Sequence, residues 1–379
     1  MAQLPDGLHS DVVLPETDDF HALFTSGVAL LDTRAPVEFA EGAFPTAVNL
    51  PLMTDEERQQ VGTCYKAAGQ EEAIRLGMSL VSGEIRAQRL QQWQQFVQQH
   101  PEGVLYCFRG GLRSRITQQW IYEQTGIRYP RVRGGYKALR RYLLEQLETL
   151  PGHYQSVILS GRTGSGKTLL LKTLTQQIDL EGLANHRGSA FGPQPTPQPT
   201  QIDFENRLAI CLLKQLATGH DPLLFEDESP NIGSVHIPVT VFRPLREAPM
   251  VVLEVDNEQR AEISYQEYVV DMNAAFQQQA TDSEQGFAAF RDYLLNSLQK
   301  IKRRLGGVRY EAVRKMMNNA LAIQQQHGDT EAHRQWVEVI LFDYYDPMYD
   351  YQLSQKSSRI VFRGHAAEVR EYLHEQGIS

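Results

Sequence analysis

The chain has 379 residues, 41% of them hydrophobic and 22% charged, a composition that excludes a wholly disordered or fibrous protein. At roughly 150 residues per domain, that length predicts two or three domains. Forty-six acidic against 37 basic residues leave a formal net charge of −9, and as an average this argues against a nucleic-acid binder, because phosphate backbones attract clustered Lys and Arg.

In chain order, residues 28–32 (VALLD) and 47–50 (AVNL) read as short buried strands. The Gln-rich stretch 71–100 carries Leu80, Ile85, Leu90, Trp93 and Phe96 at loosely helical spacing. A strand at 103–107 runs into a Gly- and Arg-rich turn, followed by a helix at 114–124, a strand at 129–133, a break at Gly134 and Gly135, and a helix at 136–150. Pro151 and Gly152 mark a boundary. Beyond it come a strand at 156–160, a second Gly-rich turn and a helix at 168–177. The stretch 193–200 (PQPTPQPT) reads as an extended loop. Further buried strands are expected at 222–225 and 250–255, and a mostly helical pattern from 258 onward. The expectation is an α/β chain in two units, 10–150 and 151–379.

No apolar run reaches the ~18 residues of a membrane span. Residues 1–20 are acidic and lack an apolar h-region, so a cytoplasmic protein is expected. Three cysteines, Cys64, Cys107 and Cys211, suit a reducing compartment better than a disulfide framework. No Cys/His group has zinc-site spacing.

The turn after the 156–160 strand is Gly161-Arg162-Thr163-Gly164-Ser165-Gly166-Lys167-Thr168, a full GxxxxGK[ST] match between a strand and a helix. Its glycines let backbone N–H groups surround phosphate oxygens, and the helix N-terminus adds positive potential. Lys167 brings a full charge to the terminal phosphates, and the Thr168 hydroxyl can ligate Mg²⁺. An acid on the Mg²⁺ side should follow a later strand. In Leu223-Leu224-Phe225-Glu226-Asp227-Glu228 we favour Asp227, with Glu226 and Glu228 as alternatives. His186 and Arg187 follow the phosphate loop and can reach its ligand, although a lone His is more often packing. Residues 344–349 read as an aromatic packing corner.

The earlier turn is Cys107-Phe108-Arg109-Gly110-Gly111-Leu112-Arg113, between a strand and a helix. A thiol there faces successive N–H groups and a helix N-terminus, with Arg109 and Arg113 nearby. It is a nucleophile candidate able to carry a sulfur, selenium or phosphoryl group. Cys211, in an apolar helix, reads as core. Cys64 is either site-lining or packed.

The net charge also hides clusters. Between residues 107 and 141 lie nine basic residues (among them Arg115, Arg131, Arg133, Lys137 and Arg140) against the single acid Glu123. Between 300 and 315 lie seven (among them Lys302, Arg303 and Arg304) against Glu311. Either could be an RNA face, with Tyr129, Tyr136 and Tyr310 available to stack on unpaired bases, or an ordinary solvated helix face.

Leu31-Asp32-Thr33-Arg34, Glu38-Phe39 and the run Gly42 to Pro51 resemble the signature of a rhodanese domain, with Cys107 as its persulfide-type cysteine. The sequence departs from that signature at Phe44 and Thr46. In that fold Asp32 and Arg34 pair structurally. A rhodanese-like unit ahead of a phosphate-loop unit, together with the segments 61–66, 83–86, 134–140, 179–192, 226–229, 301–306 and 344–349, resembles the bacterial tRNA 2-selenouridine synthase family over nearly the whole chain. The resemblance implies a transferase acting on wobble 2-thiouridine of tRNA. It would transfer a geranyl group from geranyl diphosphate to sulfur, then replace S-geranyl by selenium from selenophosphate. No tightly bound cofactor is implied, and Mg²⁺ is an option. A selenophosphate-producing enzyme is an expected partner. On this reading the phosphate loop serves geranylation, and Cys107 either carries selenium or helps expel the geranyl thiol. Two other readings stay open: a rhodanese-type sulfurtransferase with a nucleotide-binding module, and a P-loop kinase or ATPase with a docking rhodanese domain.

Overall fold

The computed structural model describes residues 12–379. The reading of the first eleven residues as free of a secretory signal, and the start of the first unit at residue 10, lie outside the described residues. The chain forms two compact units: one runs up to Thr149 and adds Ile202–Ala217, the other comprises Leu150–Gln201 and Thr218–Ser379.

The first unit is built on five parallel strands, β1 (Glu16–Thr17), β2 (Leu30–Asp32), β3 (Ala47–Asn49), β4 (Val104–Tyr106) and β5 (Arg131–Val132), in the order β1-β5-β4-β2-β3. β2 and β4 are buried at every position, as strands covered on both faces must be. The chain leaves β2 toward β3 and then crosses to β4 on the other side, so the loops after β2 and β4 flank a topological switch point, where open parallel sheets bind ligands. Arg34 and Asp32 are fully buried. Arg34 Nε donates to both Asp32 oxygens (2.9 and 3.1 Å), and its guanidinium donates to the carbonyls of Glu38 and Gly42 at 2.8 Å each. The pair thus ties β2 to the turn that follows it.

Two features depart from the sequence reading. The polar stretch before β4 is two helices, Asp55–Leu80 and Gly83–Gln99. The first starts earlier than expected because Thr54 and Glu57 form a reciprocal N-terminal cap, and it breaks at Gly69, whose φ of 84° is left-handed. The helix Gln201–Ala217 was expected in the second unit, yet nearly all of it packs on the first. Asp203 accepts the Ala43 N–H (2.7 Å), Asn206 donates to the Ala43 carbonyl (2.8 Å), and Arg140 reaches Asn206 (2.9 Å) and Glu205.

The second unit also holds a five-stranded parallel sheet: β6 (Ser156–Ser160), β7 (Gln177–Ile178), β8 (Leu223–Glu226), β11 (Met250–Leu253) and β12 (Ile360–Gly364), ordered β12-β11-β6-β8-β7. A small antiparallel pair, β9 (Asn231–Ile232) and β10 (Val235–His236), lies between β8 and β11 in the chain. β12 falls in a region expected to be helical. The helix expected at 168–177 is only Lys167–Leu171, after which the chain runs on to β7. The helical part centres on a hairpin, Ser283–Leu305 and Gly307–His327, around a core that includes Phe290, Leu294, Val313, Met317 and Trp336. Two π-helical turns, Gln266–Asp271 and Leu341–Tyr345, interrupt the helices, a feature frequent at functional sites.

Candidate functional site: a phosphate loop and a cysteine loop

The phosphate loop leaves the C-terminal end of β6, the central strand of its sheet, as expected for GxxxxGK[ST]. Gly164 has a φ of 76°, and a Cβ there would fall 2.3 Å from the Ser264 hydroxyl and 2.7 Å from the Arg260 carbonyl, so only glycine lets the loop close against its support. Arg260 is that support. Fully buried, it donates from Nε to the Thr163 carbonyl (3.1 Å) and pairs with Asp346 at 2.5 Å. Lys167 Nζ bonds back to the carbonyls of Gly161 (2.9 Å) and Arg162 (3.3 Å), and the Ser165 hydroxyl is buried without a hydrogen-bond partner. A ring of N–H groups, a lysine and an unpaired buried hydroxyl suits a phosphate chain.

Arg162 points elsewhere than expected: its guanidinium forks onto Asp350 at 2.6 to 2.8 Å. The acid facing Thr168 is Glu226, whose Oε1 accepts from Thr168 Oγ1 at 3.1 Å. Asp227 instead accepts from Ser160 (2.7 Å) and pairs with Lys356 (2.6 Å). Of the three acids expected there, the alternative Glu226, the last residue of β8, is the one that meets Thr168, and the favoured Asp227 is not. Burial, with Glu181 and Asp179 close by, pushes the Glu226 carboxyl up to about 8. Burial and Glu181 also push Glu228 well up. Thr168 and Glu226 fit a Mg²⁺ that arrives with its phosphates and keeps several waters. Among the described residues no group of three or more His, Cys, Asp or Glu gathers as a metal site of its own.

The loop opens onto a cavity of about 650 Å³, lined among others by Lys167, Thr168, Glu181, His186, Arg187 and Tyr349. His186 and Arg187 are therefore brought together with the phosphate loop. His186 is buried with Nδ1 unpartnered, and burial plus Lys300 hold it below its ordinary range, so the imidazole is neutral. Arg187 donates to the Glu267 carbonyl (2.9 Å) and lies over the Tyr268 ring. Arg260, Asp346 and Tyr349 escaped the sequence reading. The aromatic corner at 344–349 was seen only as packing, whereas its π-helical turn leads into Asp346 against Arg260 and Tyr349 into the cavity.

In the first unit Cys107 directly follows β4, the central strand, and is buried. Its Sγ lies 3.2 Å from the Ser114 hydroxyl. The loop is fastened from below: Cys107 and Phe108 carbonyls accept the N–H groups of Tyr136 and Lys137 at 2.9 Å. A Cβ at Gly135 would sit 2.2 Å from the Cys107 carbonyl, which explains the Gly pair. Above the loop a cavity of about 520 Å³ is lined by Cys107, Arg109, Arg113, Arg58, Glu38 and Glu41, among others. Arg113 is engaged by Glu38 at 2.5 and 3.1 Å, and this pairing, against burial, holds Glu38 below the usual carboxylate range. Arg109 is exposed at the same cavity. Cys64 is half-buried on the helix Asp55–Leu80 and lines neither this cavity nor its apolar neighbour. Cys211 is half-buried on Gln201–Ala217 rather than in the core.

The first basic cluster is divided: five of its nine cations, Arg109, Arg128, Arg133, Lys137 and Arg141, are exposed, and the other four are half-buried or buried. Arg131 is buried against Glu16 and the Gly110 carbonyl, Arg133 pairs with Asp18 (2.6 Å) and Glu16 (3.4 Å), and Arg140 with Glu205. Arg115 is half-buried, and Lys137 is exposed beside the cysteine loop. The second cluster is different: Lys302, Arg303, Arg304 and the other four cations of 300–315 are all exposed on the hairpin. The expected stacking aromatics are not available, since Tyr129, Tyr136 and Tyr310 are buried. Lys302 instead lies 4.6 Å above the Tyr310 ring.

The profile of the tRNA 2-selenouridine synthase AAA domain matches residues 154–378. The chain is 54% identical to a tRNA 2-selenouridine synthase of Marinobacter nauticus over 94% of this chain and 97% of that one. It is 51% identical to one of Pseudomonas fluorescens (96% and 99%) and 52% identical to one of Hahella chejuensis (94% and 94%). A solved N-terminal domain of an ATP/GTP-binding-type protein from Clostridium difficile 630 is 31% identical and covers 31% of this chain and 89% of that one, at a TM-score of 0.28. Near-full-length identity of about half, together with the matched second unit, shows that the chain belongs to the tRNA 2-selenouridine synthase family.

Proposed function

We propose that this protein is a transferase that converts wobble 2-thiouridine of tRNA to 2-selenouridine through S-geranyl-2-thiouridine. Its small substrates are geranyl diphosphate and selenophosphate, and an enzyme that makes selenophosphate is the expected partner. The observation that carries the reading is the near-full-length identity to proteins named for this product, and the two loops supply its two kinds of chemistry. The described residues contain no helix long and apolar enough to cross a membrane, which agrees with a cytoplasmic site of action.

In the first step the thiocarbonyl sulfur takes the allylic carbon of geranyl diphosphate, and the C–O bond breaks onto the diphosphate. The leaving group gathers negative charge, which Lys167 and the loop N–H groups are placed to hold. Mg²⁺ carried by the diphosphate, with Thr168 and Glu226 as its protein ligands, would neutralise more of it. Neutral His186 and Arg187 line the same cavity. In the second step selenium from selenophosphate forms the C–Se bond, the C–S bond breaks to release geranyl thiol, and the P–Se bond breaks with water taking up the phosphoryl group as phosphate. The rhodanese-like unit serves this exchange at Cys107, with exposed Arg109 and Glu38-held Arg113 on the same wall. The exposed cations of 300–315 are the better tRNA face.

Mass analysis of tRNA nucleosides from cells lacking the gene tests the reading. Loss of 2-selenouridine and S-geranyl-2-thiouridine is expected. Unchanged nucleosides refute it, and thiosulfate sulfurtransfer or ATP turnover by the purified protein would then favour the simpler alternatives.

A further inference from the structure

The cysteine loop has an apolar neighbour that the two-step reading has not used. The helix Asp55–Leu80 folds back on itself at Gly69, and a Cβ at Gly77 would meet Val61 at 3.6 Å, so its two arms touch. Beneath them, Met53, Val61, Ile74, Met78, Ile116 and Trp120 help enclose a cavity of about 310 Å³. Among the described residues Arg113 is its only charged lining residue, and Leu112 and Arg113 line both this cavity and the one containing Cys107. Along the whole 26-residue helix only Ala73 is buried. Val61, Ile74 and Met78 stay half-buried, so the arms have little apolar core of their own to rest on.

The volume defines the occupant. A cavity of roughly 150 Å³ lined by aliphatic side chains takes a six-carbon ring, so this one has room for roughly ten to twelve carbons. A polar ligand would find few partners there, because Tyr65, Gln70, Arg113 and Trp120 are the only lining side chains among the described residues that carry a nitrogen or oxygen. The geometry points to a binding pocket for the ten-carbon chain of the S-geranyl nucleotide, held between the helix arms while its sulfur faces the Cys107 loop. This rests on the proposed function and deepens it: the prenyl group becomes the handle that docks the intermediate at the cysteine.

The test uses the full chain and two anticodon stem-loop RNAs, one with S-geranyl-2-thiouridine and one with S-methyl-2-thiouridine at the wobble position, compared by fluorescence anisotropy. The parent is expected to bind the geranyl RNA about tenfold more tightly or better, the equivalent of fully burying two or more methylenes. Ile74→Trp and Met78→Trp fill the cavity and should each bring that ratio to about one. Ile85→Trp, on an exposed position outside the cavity, should keep it. Because both RNAs meet the same active fraction, partial misfolding does not alter the ratio. A parent without preference overturns the inference, as do filled variants that retain it, and in either case RNA binding and conversion leave the function intact. Failure of the parent to bind or convert either RNA overturns the function and the inference together.

Discussion

His333 offers a sharp test of how the helical part of the second unit is held. It is fully buried. Trp336 Nε1–H, which can only donate, bonds to His333 Nδ1 at 2.8 Å, so the imidazole proton sits on Nε2 and is given to Gln324 Oε1 at 2.9 Å. A second proton would point Nδ1–H at the Trp336 N–H. Burial pulls the imidazole down to about 4 from an ordinary 6.5. Between those values the unfolded chain binds a proton that the folded one refuses, so stability is lost as the pH falls. Linkage puts the loss between pH 7 and pH 5 at ~2 kcal/mol. The assay is hydrogen exchange read peptide by peptide over residues 283–340 under mild denaturant, since two units make a single global midpoint ambiguous. Protection in this region should fall at pH 5 in the parent. In His333→Gln it should start lower and lose ~2 kcal/mol less on acidification. An equal pH dependence in the variant, or a His333 ring titrating near 6.5 by nitrogen NMR, would refute the argument.

Four further outcomes follow from the sites. Cys107→Ser should abolish selenation of S-geranyl RNA while geranylation of 2-thiouridine RNA continues, and loss of both half-reactions would show that the loops do not divide the labour. Asp346→Asn removes the carboxylate that holds buried Arg260 under the Thr163 carbonyl. It should weaken diphosphate binding by calorimetry about tenfold or more, because a loop held ~1 Å out of place loses its donors' aim, whereas unchanged affinity would make the clamp merely structural. Replacing Lys302, Arg303 and Arg304 together by Gln should lower the slope of log affinity for tRNA against log salt by about 2. Arg131→Gln should leave that slope unchanged and lower the melting temperature instead, since Arg131 is buried against Glu16 and the Gly110 carbonyl.

The contrast between those two substitutions shows where sequence reasoning succeeded and where it could not. Buried parallel strands announce themselves as short apolar runs, and β2, β4, β6, β8 and β11 were all read within a residue or two. The two loops were equally legible, because glycine, lysine and cysteine at strand ends carry their geometry in local order. β12 was not, since this edge strand shows only the three-residue apolar run Ile360-Val361-Phe362, flanked by Arg359 and Arg363 in a stretch with a helical pattern. Gln201–Ala217 was not, because its allegiance rests on Asp203, Glu205 and Asn206 meeting groups in the chain's first 150 residues.

Charge was only partly legible, for the same reason. Counting acids within the stretch 107–141 finds only Glu123, but Coulomb energy depends on separation in space. The fold brings Glu16 and Asp18 to Arg131 and Arg133, and Glu205 to Arg140, from 65 to 117 positions away. In the hairpin the cations lie on the outer faces of two helices whose buried faces are apolar. There the local count and the exposed charge agree, because residues on the solvent side of a helix meet mainly their own sequence neighbours. A basic run on a solvent-facing helix therefore predicts an RNA-binding surface better than an equally basic run threaded through a parallel sheet, and the salt slopes of the two variants measure that difference directly.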